Sequence, residues 1–217
     1  MEADAPAVKA RKLMKLYDSI GPNPHVVKMF LAEKDLDVER ATVDLMAGEN
    51  RQPAYGRVNP SQTLPALELA DGEVLAEITA ICEYVEELHP TPPLIGSTPL
   101  ERAQTRMWVR RIDLGVVEPM SNGFRYSQGL GLFEHRIHCV PQAADDLKAI
   151  AREKLAWLDG LVAGRTWIVG ERFSLADILL YCFLVFGAQV GQPLDPANKN
   201  LAAWLDRVAA RPSAKAA

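Results

Sequence analysis

Three short stretches carry residue types whose spacing suits ligand chemistry. The first is LYDSIGPNPHVVKMF, residues 16–30. Asn is a favoured helix N-cap and Pro suits the first helical position, so Asn23-Pro24 reads as a helix start. Such a terminus presents unsatisfied N–H groups and the positive end of a dipole, which together suit an anion. Ser19 is the nearest hydroxyl before it, and His25 follows the proline. The second stretch is NPSQTLPAL, residues 59–67. Leu64-Pro65 stands where a loop enters a strand, a place that tolerates proline. A cis bond there would turn the N–H and C=O of Leu64 away from the sheet, open to strand-like pairing with an extended peptide; an ordinary trans bond is the alternative. The third is AEITAICEYVEEL, residues 76–88, where a helix begins just after Glu77. Its first amides, near Ile78 and Thr79, suit a carboxylate, or are simply capped.

Two further motifs carry less chemistry. In RFSLADILL, residues 172–180, Ser174 and Asp177 form a Ser-x-x-Asp cap pair, with Phe173 and Ile178 as a hydrophobic staple. This is a structural start signal for a helix. EHRIHC brings His135, His138 and Cys139 together, but a zinc site needs four ligands at partner spacings such as CxxC, so a solvent-facing loop is expected and no metal.

The elements that must position these residues follow from periodicity. LMKLYD, residues 13–18, reads as a strand. Residues 24–35 read as a helix with Val27, Phe30 and Leu31 on one face, and 37–43 as a second strand. Residues 48–60 are turn-rich, with room for one helical turn. PALEL and GEVLA flank Asp71-Gly72, a strong hairpin signal. Helical period returns over 77–89, with Ile78, Ile81, Cys82, Val85 and Leu88 on one face. HPTPPLIGSTP then breaks all regular structure. Beyond it the pattern is helical, over 99–122, 141–163, 175–190 and 199–210. The expected organisation is a mixed α/β domain over 13–89, a linker over 90–98, and an all-helical domain over 99–212.

Bulk properties narrow the function classes. The 217 residues carry a net charge of −4, which argues against nucleic acid as main partner. No apolar run reaches the ~18 residues of a membrane span. Three widely spaced cysteines without a CxxC do not describe a disulfide framework, so a reducing, cytoplasmic setting is expected. Residues 1–12 lack the apolar core of a signal peptide and are expected to be a disordered extension, with Met14 a candidate start.

The four segments LYDSIGPNPHVVKMFLAEK, NPSQTLPALEL, LAEITAICEYVEE and FSLADI, in this order and spacing, resemble the cytosolic glutathione transferases over about residues 13 to 212. The resemblance implies a thioredoxin-like N-terminal domain, a helical-bundle C-terminal domain and a homodimer. It implies glutathione as co-substrate, with its thiolate near the start of the first helix. By position, Leu64 would pair its backbone with the cysteinyl part, next to cis-Pro65. Glu77 and the amide of Ile78 would hold the γ-glutamyl end. Gln62, with Asn50 or Arg51, would face the glycine carboxylate, and Thr63 would also belong to the glutathione site.

The chain departs from the family pattern where chemistry is decided. The serine or cysteine that begins the first helix in many members is Asn23 here. Tyr17 stands one or two residues before the tyrosine of other members, Ser19 four residues before the serine slot, and Ile78 replaces a serine. A free thiol titrates near ~8.5, and lowering that by ~2 units needs about 2.7 kcal/mol. One or two donors plus a helix N-terminus supply that order. Asn23 carries two side-chain N–H donors and is the first candidate to stabilise the thiolate, Ser19 the second; Asn23 as a plain N-cap is the competing reading. The acceptor site is expected on the first long helix of the second domain, at Met107, Arg111 and Leu114 by their i, i+4, i+7 spacing, followed by Phe124, Arg125 and Tyr126. The expected function is transfer of glutathione to a small, hydrophobic electrophile. The alternatives are a glutathione-dependent peroxidase, isomerase or lyase on the same site, or a non-catalytic binding or scaffold protein.

Overall fold

The computed structural model describes residues 14–216. They form two compact units, 14–92 with 212–216, and 93–211. Residues 1–13, with the disordered extension expected there, lie outside the described residues.

The first unit contains β1 (Lys15–Asp18), α1 (Pro22–Glu33), β2 (Glu39–Thr42), a 3₁₀ turn (Glu49–Arg51), α2 (Pro53–Val58), β3 (Ala66–Glu68), β4 (Val74–Ala76) and α3 (Ile78–Leu88). The sheet runs β2-β1-β3-β4, with β1 parallel to β2 and antiparallel to β3, and β3 antiparallel to β4. The turn expected at Asp71-Gly72 is present: Gly72 has φ +86°, its N–H donates to the Leu69 carbonyl, and the Asp71 carboxylate accepts from the Glu73 N–H. This is the thioredoxin-like arrangement expected from the sequence. α1 buries Val26, Val27, Met29, Phe30 and Leu31 completely, and α3 buries Ile81, Cys82 and Val85. Leu88, placed on that face by periodicity, is instead exposed, because it ends the helix.

Register decides where the loops meet. Tyr17 and Ala76 both stand opposite Ala66. The outgoing ends of β1 and β4 and the incoming end of β3 therefore lie at one end of the sheet. The parallel strand β2 ends there too, Thr42 being opposite Asp18.

The start of α1 and the course of the chain end differ from expectation, whereas the division between units falls within the expected linker. α1 begins at Pro22, with Gly21 as N-cap, rather than at Pro24 after an Asn23 cap. Gly21 holds φ +107°, a conformation that glycine alone reaches at low cost, and this decides the start. The division between units falls at Pro92/Pro93, inside the proline-rich stretch, and the chain end rejoins the first unit. There a short helix, Pro212–Ala216, packs on α1, and Ser213 Oγ donates to the Glu33 carboxylate.

A buried cation closes the far end of this unit. Lys34, at the C-cap of α1, is paired with Glu86 of α3, both side chains almost fully buried. Its Nζ also donates to the carbonyls of His89 (2.8 Å) and Pro92 (2.5 Å). Burial lowers the Lys34 pKa, and Glu86 opposes that shift.

The second unit is helical, as expected: α4 (Pro99–Ile112), α5 (Glu118–Arg125), α6 (Leu130–Phe133), α7 (Ala144–Val162), α8 (Leu175–Gln189) and α9 (Lys199–Ala209). The helix expected over 99–122 is interrupted by a π-helical turn at Asp113–Val117. Gly115 in that turn lies so close to α7 that a Cβ would stand 2.6 Å from Lys154 Cγ. α8 is buried nearly all round, as its composition requires. Asp177 in its first turn is completely buried. Its carboxylate accepts from Ser174 N–H (3.0 Å), Ser174 Oγ (3.0 Å), Ile168 N–H (2.9 Å) and Trp204 Nε1 (2.9 Å). The Ser-x-x-Asp pair thus also ties α8 to α9. Phe173 packs edge-on against Trp167 and under the Arg211 guanidinium, 3.9 Å from its ring centroid. Among the described residues no helix is long and apolar enough to cross a membrane.

Removing one partner of a buried ion pair strands the other. Lys34→Met alone is expected to lower unfolding free energy by about 3–5 kcal/mol in urea titrations. Lys34→Met with Glu86→Leu should recover a large part of that loss; an equal or greater loss in the double variant would contradict this account. Asp177 gives a pH test. Burial pushes its carboxyl up to about 6 despite four donors. A carboxyl raised above its unfolded value contributes stability that is complete below about 4 and lost as pH rises through about 6. The stability advantage of the parent over Asp177→Asn, which does not titrate, should therefore be widest near pH 4 and narrow towards pH 7. A gap that widens over that range sinks the assignment.

Candidate functional site

At the end of the sheet where β1, β2 and β4 finish and β3 begins, the chain leads directly to Asn23, Leu64, Pro65, Glu77 and Ile78 of the expected glutathione site. Leu64-Pro65 is cis. The Leu64 side chain is buried against Val43 and Tyr55. Among the described residues no hydrogen bond engages the N–H or C=O of Leu64. A buried side chain beside an open peptide donor and acceptor is an edge prepared for a peptide-like partner.

Next to it β4 leads into α3. Glu77 is the N-cap, with φ +70° and ψ 123°, a region costly for a residue with a Cβ. The first in-helix bond joins Ile81 N–H to the Glu77 carbonyl, so the amides of Ile78 and Thr79 precede the ladder. Glu77 is exposed and Ile78 half-buried.

The start of α1 holds fewer donors than a helix terminus usually offers. Pro22 and Pro24 carry no N–H, and the His25 N–H is bonded to the Gly21 carbonyl (3.3 Å). The N–H of Asn23 and its side-chain amide remain. Asn23 is half-buried and does not cap the helix, and among the described residues no hydrogen bond engages its N–H or its side chain. The N-cap reading of Asn23 is therefore corrected, and its side-chain donors are open. Ser19 differs. It is buried, and its Oγ donates to the Val43 carbonyl at 2.6 Å, while its N–H donates to Asp18 Oδ1 at 2.7 Å. Its hydroxyl proton is committed to joining β1 to the loop after β2. Tyr17 donates its OH to Glu68 at 2.6 Å, which together with burial raises its pKa, and burial pushes Tyr55 up to about 12. Neither phenol supplies a phenolate near neutral pH. Burial, then the nearby Lys28, lowers the pKa of His25. Lys28 stands 3.7 Å from Asp18.

Asn50 is corrected as well. It is fully buried, and its Nδ2 donates to the Gln62 carbonyl at 2.6 Å. Its side chain holds the loop and presents nothing at the surface. Arg51 and Thr63 are exposed, and Gln62 is half-buried with φ +55°. Two side chains outside the expected set act on the same loop. Tyr55 OH donates to the Thr63 carbonyl at 2.7 Å, and Asn59 Nδ2 to the same carbonyl at 2.9 Å. Asn59 Oδ1 accepts from the Ser61 N–H, and this turn was signalled by the Asn59-Pro60 dipeptide.

In the second unit Met107, Arg111 and Leu114 are all exposed, with the Arg111 guanidinium 4.9 Å from the Trp108 ring centroid. Leu114 falls in the π turn, which interrupts the regular i, i+4, i+7 progression. Phe124 is half-buried, edge-on to Phe133 and Phe186, and Tyr126 caps α5. Arg125 bonds Asn122 at 3.0 Å. His135 is exposed beside Glu134, and among the described residues no three His, Cys, Asp or Glu side chains are placed to share a metal ion.

Residues 20–88 match the model of the glutathione S-transferase N-terminal domain, and residues 130–212 that of the C-terminal domain. The chain belongs to the glutathione S-transferase family. Glutathione S-transferase 2 of Saccharomyces cerevisiae is 34% identical over 95% of this chain and 90% of its own. Maleylacetoacetate isomerase of Pseudomonas aeruginosa is 33% identical over 92% of this chain and 93% of its own. Among solved structures, a glutathione S-transferase domain-containing protein of Marinobacter aquaeolei VT8 superposes with TM-score 0.86 at 36% identity, covering 92% of this chain and 98% of that one. This transferase-family fold therefore spans both units.

The strained N-cap yields a stability prediction with a sign. Glu77→Gly relieves the Cβ clash at φ +70° and should raise unfolding free energy by about 1 kcal/mol. Glu77→Ala, which keeps the Cβ, should bring no such gain. Urea unfolding of the two variants decides the point, and a less stable Glu77→Gly would contradict the strain assignment.

Proposed function

We propose that this chain is a glutathione transferase that binds glutathione on the first unit and lowers the pKa of its thiol for attack on a small electrophilic acceptor. The observation that carries the reading is the open N–H and C=O of Leu64 over a buried side chain. They match the peptide group of a cysteinyl residue, as a strand edge matches an added strand. The amides of Ile78 and Thr79 suit the γ-glutamyl carboxylate, with Glu77 beside them for its amino group. Arg51, Gln62 and Thr63 line the glycine end.

The thiolate is assigned to Asn23. Its N–H and its side-chain NH₂ are open at the positive end of α1 and donate to an anion without accepting its proton. The proton leaves to solvent, and glutathione sulfur is the nucleophile. Ser19 drops out of the catalytic set because its hydroxyl proton is spent on Val43. Acceptor contacts are assigned to the second unit, at Met107, Arg111, Leu114, Phe124 and Tyr126, and the working form to a homodimer in the cytoplasm. The relative named an isomerase supports a second reading, in which the same thiolate adds to an unsaturated acceptor and is expelled again, leaving glutathione unchanged.

Ultraviolet titration of the protein with glutathione across pH tests the proposal. A thiolate band with a midpoint about 2 units below that of free glutathione is expected. Asn23→Ala should move the midpoint up by about 1 unit or more. Ser19→Ala should cost about 1 kcal/mol of stability and leave the midpoint in place. Absence of glutathione binding, or a midpoint unmoved from that of free glutathione, would overturn the reading. Net consumption of glutathione separates transfer from isomerisation.

A further inference from the structure

We infer that Tyr55 and Asn59 are positioning residues that aim the Leu64 N–H at the ligand by holding the carbonyl of the same peptide unit; the inference rests on the glutathione-binding role proposed above. The carbonyl of Thr63 and the N–H of Leu64 belong to one planar group. Whatever orients the oxygen orients the hydrogen on the opposite side. Tyr55 Oη and Asn59 Nδ2 both donate to that oxygen, at 2.7 and 2.9 Å, and so occupy both of its lone pairs. Both side chains are buried, Tyr55 at 5% and Asn59 at 3% exposure, so these bonds do not compete with bulk water.

The clamp is itself held from three sides. Asn59 begins the turn: its carbonyl accepts from the Gln62 N–H at 2.9 Å and its Oδ1 from the Ser61 N–H at 3.1 Å. Its own N–H donates to the Tyr55 carbonyl at 2.9 Å, so the two clamping residues are bonded to each other. Asn50 fixes the preceding peptide plane through the Gln62 carbonyl. The Tyr55 ring packs with Val43 and Leu64 and stands edge-on to Tyr17, 5.8 Å between centroids. A ligand-binding N–H cannot be held by a sheet partner, because that partner would take the place of the ligand. The chain holds the other face of the peptide instead.

The test compares two ligands on the parent, Tyr55→Phe and Asn59→Ala. One is glutathione. The other is γ-glutamylmethylamide, which keeps the γ-glutamyl end with its amide N–H and lacks the cysteinyl carbonyl that the Leu64 N–H would meet. Each variant should bind glutathione about three- to tenfold more weakly, the range for one lost neutral hydrogen bond. Affinity for γ-glutamylmethylamide should stay within about twofold, because the Ile78 and Thr79 amides are untouched. Tyr55→Phe retains the ring and its packing, so it reports the hydroxyl alone. Unchanged glutathione affinity in both variants, or an equal loss for both ligands, overturns the clamp while leaving glutathione binding by the parent intact. A parent that binds no glutathione removes the proposed function, and the clamp's role with it.

Discussion

A peptide group that is to meet a ligand must stay unpaired in the free protein and yet keep one orientation. Buried or sheltered peptide groups are almost always bonded, so an open one has to be supported through its neighbours. On the proposed reading that constraint falls on the Thr63–Leu64 peptide. The sheet supplies a side-chain anchor, with Leu64 sunk against Val43 and Tyr55. The stretch from Asn50 to Asn59 supplies three side-chain donors to the two carbonyls just before Leu64. The 3₁₀ turn and α2 thus serve as a bracket for the edge of β3. Register then brings the ends of β1 and β4 beside the same edge, where the other residues proposed for the site begin.

Among the described residues each unit also buries one carboxylate, Glu86 and Asp177, and the two are satisfied differently. Glu86 meets a cation, Lys34, which in turn bonds two carbonyls of the chain leaving α3. Asp177 meets no cation; its partners are two backbone N–H groups, a hydroxyl and an indole N–H. Coulomb attraction in a dry site opposes the desolvation of Glu86 directly. The neutral donors of Asp177 do not fully offset burial, which raises its carboxyl to about 6. The ion pair therefore fastens a chain crossing, whereas the neutral network fastens helix to helix and leaves a titratable group in the core.

Much of this was legible in the sequence, where local chemistry decides. The Asp71-Gly72 turn, the helix start after Glu77, the strand start at Leu64-Pro65 and the Ser174-x-x-Asp177 pair each depend on residues within four positions of one another. Features that depend on backbone freedom or distant partners were not legible. Gly21, by taking φ +107°, moved the start of α1 two residues forward and converted Asn23 from a cap into an open donor. Ser19 looked like a free hydroxyl because its acceptor, Val43, lies 24 positions away. Asn50 looked like a ligand contact because nothing local reveals that it is completely buried. The return of 212–216 to the first unit depends on Glu33, on the opposite side of the sequence.

The change at Asn23 bears on chemistry as well as on boundaries. As an N-cap, its side-chain oxygen would accept from the helix and its NH₂ would be turned away by that bond. At the second helical position the side chain is relieved of that duty, and the prolines on either side remove the amides that would otherwise share an anion. The electrostatic capacity of this helix start is thereby concentrated on one residue, which carries one backbone and two side-chain donors. A hydroxyl at the same place would offer a single proton, whereas the NH₂ of the amide offers two. On the proposed reading, stabilisation by Asn23 would act on the anion after its proton has gone to water. An activating group of that kind leaves the thiol midpoint sensitive to the number of N–H donors at position 23, rather than to the pKa of the side chain that carries them.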